Sequence, residues 1–252
     1  MGGPTTAQYR LNRYVDAAIT VRHTPVRSFA STFFFMQPLE EGTREVELAL
    51  KARPTLVLGA DFLFWFCYGD GKTDKDRLDR FEQGLSLCEK FQCPIVLGDI
   101  PDASAAVNVM LSPDEVPNRS AIAAANRRLR AWAAARPNVA VLALSNFMAT
   151  VNANGPLSIH GYSLPRGKTS ILLQNDKLHP SPPGCAVLSL LMLSAFESSR
   201  GAATGDDDVL WDPKKVFRTA LPSARPAVSH TTNAPPTSAS TTQGQSSGTR
   251  PN

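Results

Sequence analysis

Three short apolar runs, each separated from the next by a helical pattern, constrain the fold of this chain more than any other feature. The runs cover residues 54–59, 94–98 and 139–143, and two of them end at glycine. Continuous apolar runs of this length are typical of strands buried on both faces of a parallel sheet. The alternation predicts an α/β fold, namely a three-layer α/β/α sandwich with a mostly parallel, flavodoxin-like sheet.

Helix signals occupy the segments around these runs. Thr73 and Asp76 have the spacing of a capping box, and apolar residues then recur at intervals of three and four. Asn118 or Ser120 can cap the next helix. Residues 145–152 are predicted to form a short helix, and residues 157–168 a loop or hairpin. Residues 184–196 are predicted to form an apolar helix.

A change in composition divides the chain. From residue 221 onwards more than half of the residues are Ser, Thr or Pro, and none is acidic or aromatic. Such a segment cannot bury enough apolar surface to offset the entropy lost on folding. We therefore predict a domain over residues 8–198, followed by a polar linker and a disordered tail over residues 199–252. Within the linker, Trp211 and Phe217 are expected to dock back onto the domain.

Charge and hydropathy exclude several classes of partner. The 26 Lys and Arg residues and the 22 Asp and Glu residues are interspersed, which predicts no nucleic-acid binding. No apolar run is long enough to span a membrane, and the first 20 residues lack the apolar core of a signal peptide. We expect a cytoplasmic protein with no cofactor and no metal, and leave its oligomeric state open. Its four cysteines are predicted to be buried thiols rather than disulfides: Cys67, Cys88, Cys93 and Cys185.

The sharpest chemical signal lies just before the last predicted helix. Asp176 and His179 are three residues apart in a turn that ends at Pro180. This spacing places a carboxylate beside an imidazole, so that one ring nitrogen is held and the other can take a proton. Taken alone, the pattern also fits a capping Asp beside a surface His. Ligands of parallel sheets bind beyond the carboxyl ends of the strands, which directs attention to residues 59–61, 98–102 and 144–146.

The order of these elements resembles the SGNH (GDSL-type) hydrolase superfamily over residues 14–197. Residues 59–63, Gly-Ala-Asp-Phe-Leu, are similar to its third block, Gly-x-Asn-Asp, and residues 176–179 to its fifth block, Asp-x-x-His. Residues 14–16 look like the first helix of the superfamily, and residues 25–30 look like its second strand.

The resemblance implies a serine ester hydrolase, of the esterase or lipase kind, that acts on a small-molecule ester. In that mechanism a Ser nucleophile attacks the ester carbonyl, His179 acts as the general base, and Asp176 orients the imidazole. Gly59, Ala60 and Asp61 would line the oxyanion and substrate crevice.

The sequence departs from the superfamily at the nucleophile and at the oxyanion donors. It contains no Gly-Asp-Ser and no Gly-x-Ser-x-Gly motif, and Ser28 and Ser31 are weak substitutes. If residues 14–16 match the first helix, the Gly-Asp-Ser block and the first strand would fall at or before residue 1. The second-block Gly and the Asn of the third block are also missing, which removes donors to an oxyanion. The expected state is a truncated or catalytically impaired hydrolase.

Two alternatives come from other classes of function. A non-catalytic ligand-binding module would keep the crevice without the chemistry. A metal-dependent phosphohydrolase would use strand-end carboxylates as hard oxygen ligands. The carboxylates in question are Asp61, Asp99, Asp102 and Asp176.

His160 is expected to be a solvated residue of the hairpin, and the aromatic residues Phe62, Phe64 and Trp65 are expected in the core rather than in a fatty-acyl pocket. A missing first strand would leave a sheet edge unpaired, which predicts poor solubility or dimerisation.

Overall fold

The computed structural model describes residues 10–69, 71, 73–200 and 208–221. The helices are α1 (Leu11–Ala18), α2 (Pro38–Lys51), α3 (Phe62–Cys67), α4 (Asp74–Cys88), α5 (Arg119–Ala134), α6 (Leu144–Asn152), α7 (Pro182–Arg200) and α8 (Pro213–Ala220). The strands are β1 (Val57–Gly59), β2 (Ile95–Gly98), β3 (Val139–Leu142), β4 (Leu157–Ile159) and β5 (Tyr162–Leu164). Short 3-10 helices cover Ser104–Ala106, Pro113–Glu115 and Thr169–Leu172.

A small parallel sheet confirms the mixed α/β class. Its order is β1-β2-β3, with Val57 opposite Ile95 and Ile95 opposite Val139. All three strands lie within the apolar runs, although each is shorter than its run at one or both ends. The segment predicted as a loop or hairpin is an antiparallel hairpin made by β4 and β5.

The side chains of the central strand alternate between two apolar clusters. Ile95 and Leu97 pack into one cluster with buried residues of α3, α4 and α5. Val96 packs into the other cluster with buried residues of α6 and α7. This alternation follows from the two-residue period of a strand and explains why β2 is apolar throughout.

Local capping signals are confirmed at two helices. The Thr73 hydroxyl accepts from the Asp76 N–H, and the Asp76 carboxylate accepts from the Thr73 N–H, so the capping box starts α4. Asn118, rather than Ser120, caps α5 by accepting from the Ala121 N–H.

The prediction of a strand at residues 25–30 is wrong. Within the described residues this segment is extended but belongs to no sheet. Two side chains of α1 satisfy its backbone instead, because the Val26 N–H donates to Asp16 at 2.7 Å and the Asn12 amide donates to the Val26 carbonyl at 2.8 Å. No described strand pairs with the outer edge of β1, so the predicted dimerisation through that edge stays a prediction.

The segment at residues 208–221 packs on the domain, as expected for Trp211 and Phe217. α8 contacts α1 and α7, and Val216 is fully buried. Trp211 and Phe217 lie partly buried in the same cluster. The compact unit therefore extends to Leu221, beyond the domain boundary predicted at residue 198. The predicted tail after Leu221 lies outside the described residues.

Membrane spans and disulfides are absent from the part of the chain that the structure describes. None of its helices is both long and apolar enough to cross a bilayer. All four cysteines are free thiols, which confirms the prediction of no disulfide, and Cys93 is less buried than the other three. Burial raises the pKa of the Cys67 and Cys185 thiols to about 12, so both remain protonated at neutral pH.

Candidate active site

A close backbone approach at the strand ends forms the base of the candidate site. A Cβ atom at Gly98 would lie 1.9 Å from the carbonyl oxygen of Ala60, so only glycine allows β2 to end against the turn that follows β1. Gly184, in the first turn of α7, approaches the Leu172 carbonyl equally closely. The contact at Gly98 holds Ala60 beside the carboxyl end of β2, where a parallel sheet binds ligands, and the contact at Gly184 holds α7 against Leu172.

Asp176 and His179 form the carboxylate–imidazole pair that their spacing predicts. The Nδ1 atom of His179 lies 2.9 Å from Oδ2 of Asp176. The other oxygen, Oδ1, accepts from the backbone N–H groups of Leu178 and His179 at 3.0 and 2.9 Å. Because both carboxylate oxygens are held, the imidazole is fixed in one orientation, with its Nε2 edge directed away from Asp176.

The environment keeps Asp176 ionised. Burial raises the pKa of this carboxyl, but hydrogen bonds from the Leu178 and His179 N–H groups and from the imidazole outweigh burial and leave the pKa below its usual value. A charged Asp176 favours the Nδ1-protonated imidazole, which leaves Nε2 able to accept a proton.

The loop that carries the pair is tied to its surroundings on both sides. The Gln174 N–H donates to the His179 carbonyl, and the Ser181 N–H donates to the Leu172 carbonyl, both at 2.9 Å. Lys177 has a positive φ of 61°, which produces the sharp turn between the two functional residues. His179 therefore sits on an anchored loop just before α7.

Asp61, which follows β1, lies close enough to His179 for the charge of His179 to act on its pKa. Asp61 keeps one exposed side, yet the protein atoms packed around its carboxyl raise its pKa. The charge of His179 and a hydrogen bond from Trp65 act in the opposite direction. Of the predicted crevice residues, Asp61 is thus the one that the electrostatic effect of His179 links to the pair, and a crevice shared with Gly59 and Ala60 stays a prediction.

Glu45 on α2 is a carboxyl group near Asp61 that the sequence analysis missed. Its Oε1 atom accepts from the Ser31 N–H at 2.6 Å. Burial raises its pKa to about 7, and the nearby charge of Asp61 adds to the increase. The helix signals at residues 38–51, with Pro38 in the first turn and Gly42 and Val46 on a buried face, could have placed Glu45 beside the core.

Neither of the two serine candidates contacts His179. The Ser31 hydroxyl accepts from the Phe33 N–H at 3.1 Å and hydrogen-bonds to Glu41. Ser28 is exposed in the extended segment. Across the described ranges, no hydroxyl group makes a hydrogen bond to the imidazole of His179.

The carboxylates considered as metal ligands do not converge. Asp99 accepts from the N–H and the hydroxyl of Ser145, both at 2.6 Å, and so anchors the start of α6. Asp102 accepts from the Ser104 N–H and lies 3.5 Å from Arg119. Among the residues that the structure describes, no group of three or more His, Cys, Asp or Glu side chains is arranged to hold a metal ion.

Of the aromatic residues predicted in the core, Phe64 is buried, whereas Phe62 and Trp65 are partly buried and Trp65 hydrogen-bonds to Asp61. His160 is exposed in the β4–β5 hairpin, as predicted, but its ring stacks on Trp211. Phe64 is buried and stacks on Tyr68, and Phe62 packs against Phe34 and Phe66.

The fold and these residues define a mixed α/β protein with an oriented carboxylate–imidazole pair at the strand ends of its parallel sheet. Comparison with known proteins adds no family to this description, because no family model, curated protein or solved structure matches the chain.

Proposed function

We propose that this chain is an ester hydrolase of the SGNH type, in which His179 is the general base and Asp176 orients it. The observation that carries the proposal is the 2.9 Å contact between His179 Nδ1 and an Asp176 carboxylate that two backbone N–H groups hold in place. His179 Nε2 would take the proton of a hydroxyl group as that oxygen attacks the ester carbonyl, and would then give it to the leaving alcohol, which leaves the acyl group on the attacking oxygen. Water, deprotonated by the same Nε2 atom, would then release the acyl group as a carboxylic acid, and the proton would return to the hydroxyl. Asp176 would stabilise the imidazolium formed between the two steps.

The packing of the sheet supports the fold that this proposal needs. Buried residues of α3, α4 and α5 pack with Ile95 and Leu97 of β2, and buried residues of α6 and α7 pack with Val96. We propose that this arrangement is the three-layer α/β/α sandwich of the SGNH hydrolases, with the crevice at the carboxyl ends of β1 and β2.

The same crevice predicts slow turnover. Ala60 has no amide side chain to donate to a developing oxyanion, and the carboxylate of Asp61 would repel that charge. Within the described residues no hydroxyl is presented to His179. The proposed enzyme is therefore impaired relative to a complete serine hydrolase.

A binding module that has lost the chemistry is the second candidate. The observation that favours it is the position of Ser31, whose backbone and hydroxyl are engaged with Glu45, Phe33 and Glu41 rather than with His179. Such a module would bind an ester or a similar small molecule at the crevice without turning it over.

Hydrolysis of p-nitrophenyl butyrate by the full chain tests both candidates. We expect hydrolysis that persists in EDTA and is lost on His179→Ala. His23→Ala is the matched control, because His23 also pairs with a carboxylate, Asp16 at 3.3 Å, but the side chain of Asp16 is 43% exposed whereas that of Asp176 is 5% exposed. Equal rates in wild type and His179→Ala would refute the proposal, saturable binding without turnover would favour the module, and loss of activity in EDTA would favour a metal enzyme.

A further inference from the structure

A depression of about 690 Å³ lies where the turn after α1, the β4–β5 hairpin and residues 209–215 meet. It is called here the hairpin pocket, and its lining includes Thr20, His160, Tyr162, Trp211, Lys214 and Lys215. Neither Asp176 nor His179 lines it, so the hairpin pocket is separate from the candidate active site. Its volume lies within the range of small-molecule sites.

Contacts within the protein hold the walls of the hairpin pocket in place. The Leu210 N–H donates to the Ala18 carbonyl at 2.7 Å, which fixes the strand-like segment before α8 against the end of α1. The rings of His160 and Trp211 stack with their centroids 3.6 Å apart and their planes 12° from parallel. Because these side chains are already ordered, a ligand loses little affinity to the ordering of the site.

Aromatic side chains of the hairpin pocket suit a planar ligand group. His160, Tyr162 and Trp211 all line the pocket, and Tyr162 and Trp211 are partly buried. Gly161 lies between the first two of these residues, and a Cβ atom added there would meet no heavy atom within 4 Å. The pocket thus combines aromatic surface with open space. Nucleobases stack on such surfaces because every base has a flat π face.

Two lysines make the same pocket attractive to an anion. Lys214 and Lys215 are exposed in the first turn of α8, and none of the ion pairs among the described residues involves either of them. Cations in the first turn of a helix oppose the helix dipole, so these lysines do not stabilise α8. A phosphate group bound between the two side chains would offset that cost.

Asp212 is the acidic residue of the pocket lining, and its carboxylate is already engaged. Its Oδ1 atom caps α8 by accepting from the Lys214 and Lys215 N–H groups at 2.9 and 3.4 Å. Two lysine side chains against one aspartate leave the pocket with a net positive charge. An anionic ligand is therefore favoured over a cation.

We propose that the hairpin pocket binds a nucleoside phosphate, with the base against the aromatic side chains and the phosphate groups at Lys214 and Lys215. This site is independent of ester hydrolysis at His179. Residues from the hairpin and from the segment 208–221 both line the pocket, so a bound ligand would also hold that segment on the domain. Binding should therefore raise the melting temperature.

Calorimetry with ADP and the full chain tests the proposal. We expect saturable binding that Lys214→Glu/Lys215→Glu weakens by about tenfold or more, because each lysine is replaced by a charge that repels phosphate. Acidic residues in the first turn favour a helix, so α8 should still form in this variant. The control is Lys51→Glu/Lys90→Glu, which makes the same change of charge at two exposed lysines outside the pocket and should bind ADP as the wild type does. Absence of ADP binding, or equal binding by the wild type and the pocket variant, would overturn the proposal.

The two halves of the ligand test the two halves of the pocket. We expect adenosine and pyrophosphate each to bind about tenfold or more weakly than ADP. Trp211→Leu should weaken ADP binding and leave pyrophosphate binding unchanged, whereas Trp211→Phe, which keeps an aromatic ring, should bind ADP almost as the wild type does. Pyrophosphate that binds as tightly as ADP, or an ADP affinity that Trp211→Leu leaves unchanged, would show an anion site without a place for the base and would contradict the proposal.

The melting temperature gives a second, independent measurement. ADP should raise Tm for the wild type and for Lys51→Glu/Lys90→Glu, but not for Lys214→Glu/Lys215→Glu. Binding of a single-stranded oligonucleotide in the absence of ADP binding would assign the hairpin pocket to nucleic acid. That result would also contradict the proposal.

Discussion

Two histidines beside α7, in different regions of the molecule, have almost the same exposure but different surroundings. The side chains of His179 and His160 are 34% and 35% exposed, and each faces a carboxylate. His179 is 2.9 Å from Asp176, just before α7 begins. His160 is 3.8 Å from Glu197 and 3.2 Å from the Ser194 hydroxyl, near the other end of the helix, and its ring lies 3.6 Å from that of Trp211.

The difference lies in how each imidazole is held. At His179 the carboxylate engages Nδ1 and is itself fixed by backbone N–H groups, which leaves Nε2 on the side of the ring away from Asp176. At His160 the Nε2 atom is the one that contacts α7, and one ring face is covered by Trp211. The first arrangement is the one that we propose moves a proton, whereas the second joins the hairpin to Trp211 by ring stacking. The two histidines therefore differ in how their rings are held and not in how exposed their side chains are.

Exchanging the carboxylate for an amide in each region gives the largest expected contrast. Asp176→Asn should lower kcat for p-nitrophenyl butyrate by about a hundred- to ten-thousand-fold, because the amide favours the wrong imidazole tautomer. Glu197→Gln should leave kcat unchanged. Similar losses in both variants, with intact folding shown by circular dichroism, would remove the distinction between the two histidines.

Substituting one glycine in each region compares the two regions by their effect on the free energy of unfolding. Gly98→Ala should lower the free energy of unfolding by about 3 kcal/mol, because its Cβ would meet the Ala60 carbonyl oxygen at 1.9 Å. Gly161, next to His160, has a φ of 77°, and a Cβ atom added there would meet nothing within 4 Å, so Gly161→Ala should cost only about 1–2 kcal/mol. Urea unfolding measures both values. A larger loss of unfolding free energy in Gly161→Ala than in Gly98→Ala would show that the hairpin tolerates a side chain less well than the end of β2 does.

The elements that the sequence predicted correctly depend on short-range signals. The apolar runs give the three strands, and Thr73 with Asp76 gives the start of α4. The contact between Asp176 and His179 is likewise local, since three residues of one turn contain it. The arrival of Asp61 at the same crevice follows from a general property of parallel sheets rather than from its neighbours in sequence.

The features that were missed depend on contacts between distant segments. Residues 25–30 form no strand because Asn12 and Asp16 on α1 compete for the backbone of Val26. The role of Glu45 depends on Ser31, 14 residues away, and on Asp61 beyond the end of its helix. No local pattern reports such pairings, and the same holds for the packing of α8 on α1 and α7.

The raised pKa of Glu45 predicts how stability changes with pH in the crevice region. Its pKa is about 7 in the folded protein against an ordinary value of 4.5, so the folded state holds this proton more tightly than the unfolded state. The free energy of unfolding should therefore fall as pH rises from about 4.5 to 7.

Glu45→Gln should remove this fall, because the amide does not titrate. After allowance for partial exposure, the variant should be more stable than the wild type by about 1–2 kcal/mol at pH 8 and equally stable at pH 4. Glu47→Gln, which changes an exposed carboxylate on the same helix, is the control. A stability difference that is the same at both pH values would show that protonation of Glu45 is not its cause.

The smallest expected effect concerns the contact between His160 and Trp211. His160→Ala removes the ring stacked on Trp211 and should lower the free energy of unfolding by about 1 kcal/mol without changing ester hydrolysis. His160→Phe separates the two contacts, because phenylalanine keeps an aromatic ring for stacking but cannot bond to Ser194 or Glu197. If His160→Phe is as stable as the wild type, the stacked rings provide the stabilisation. If it is as unstable as His160→Ala, the polar contacts with α7 provide it. A loss of hydrolysis in His160→Ala as large as that in His179→Ala would contradict the division of roles between the two regions.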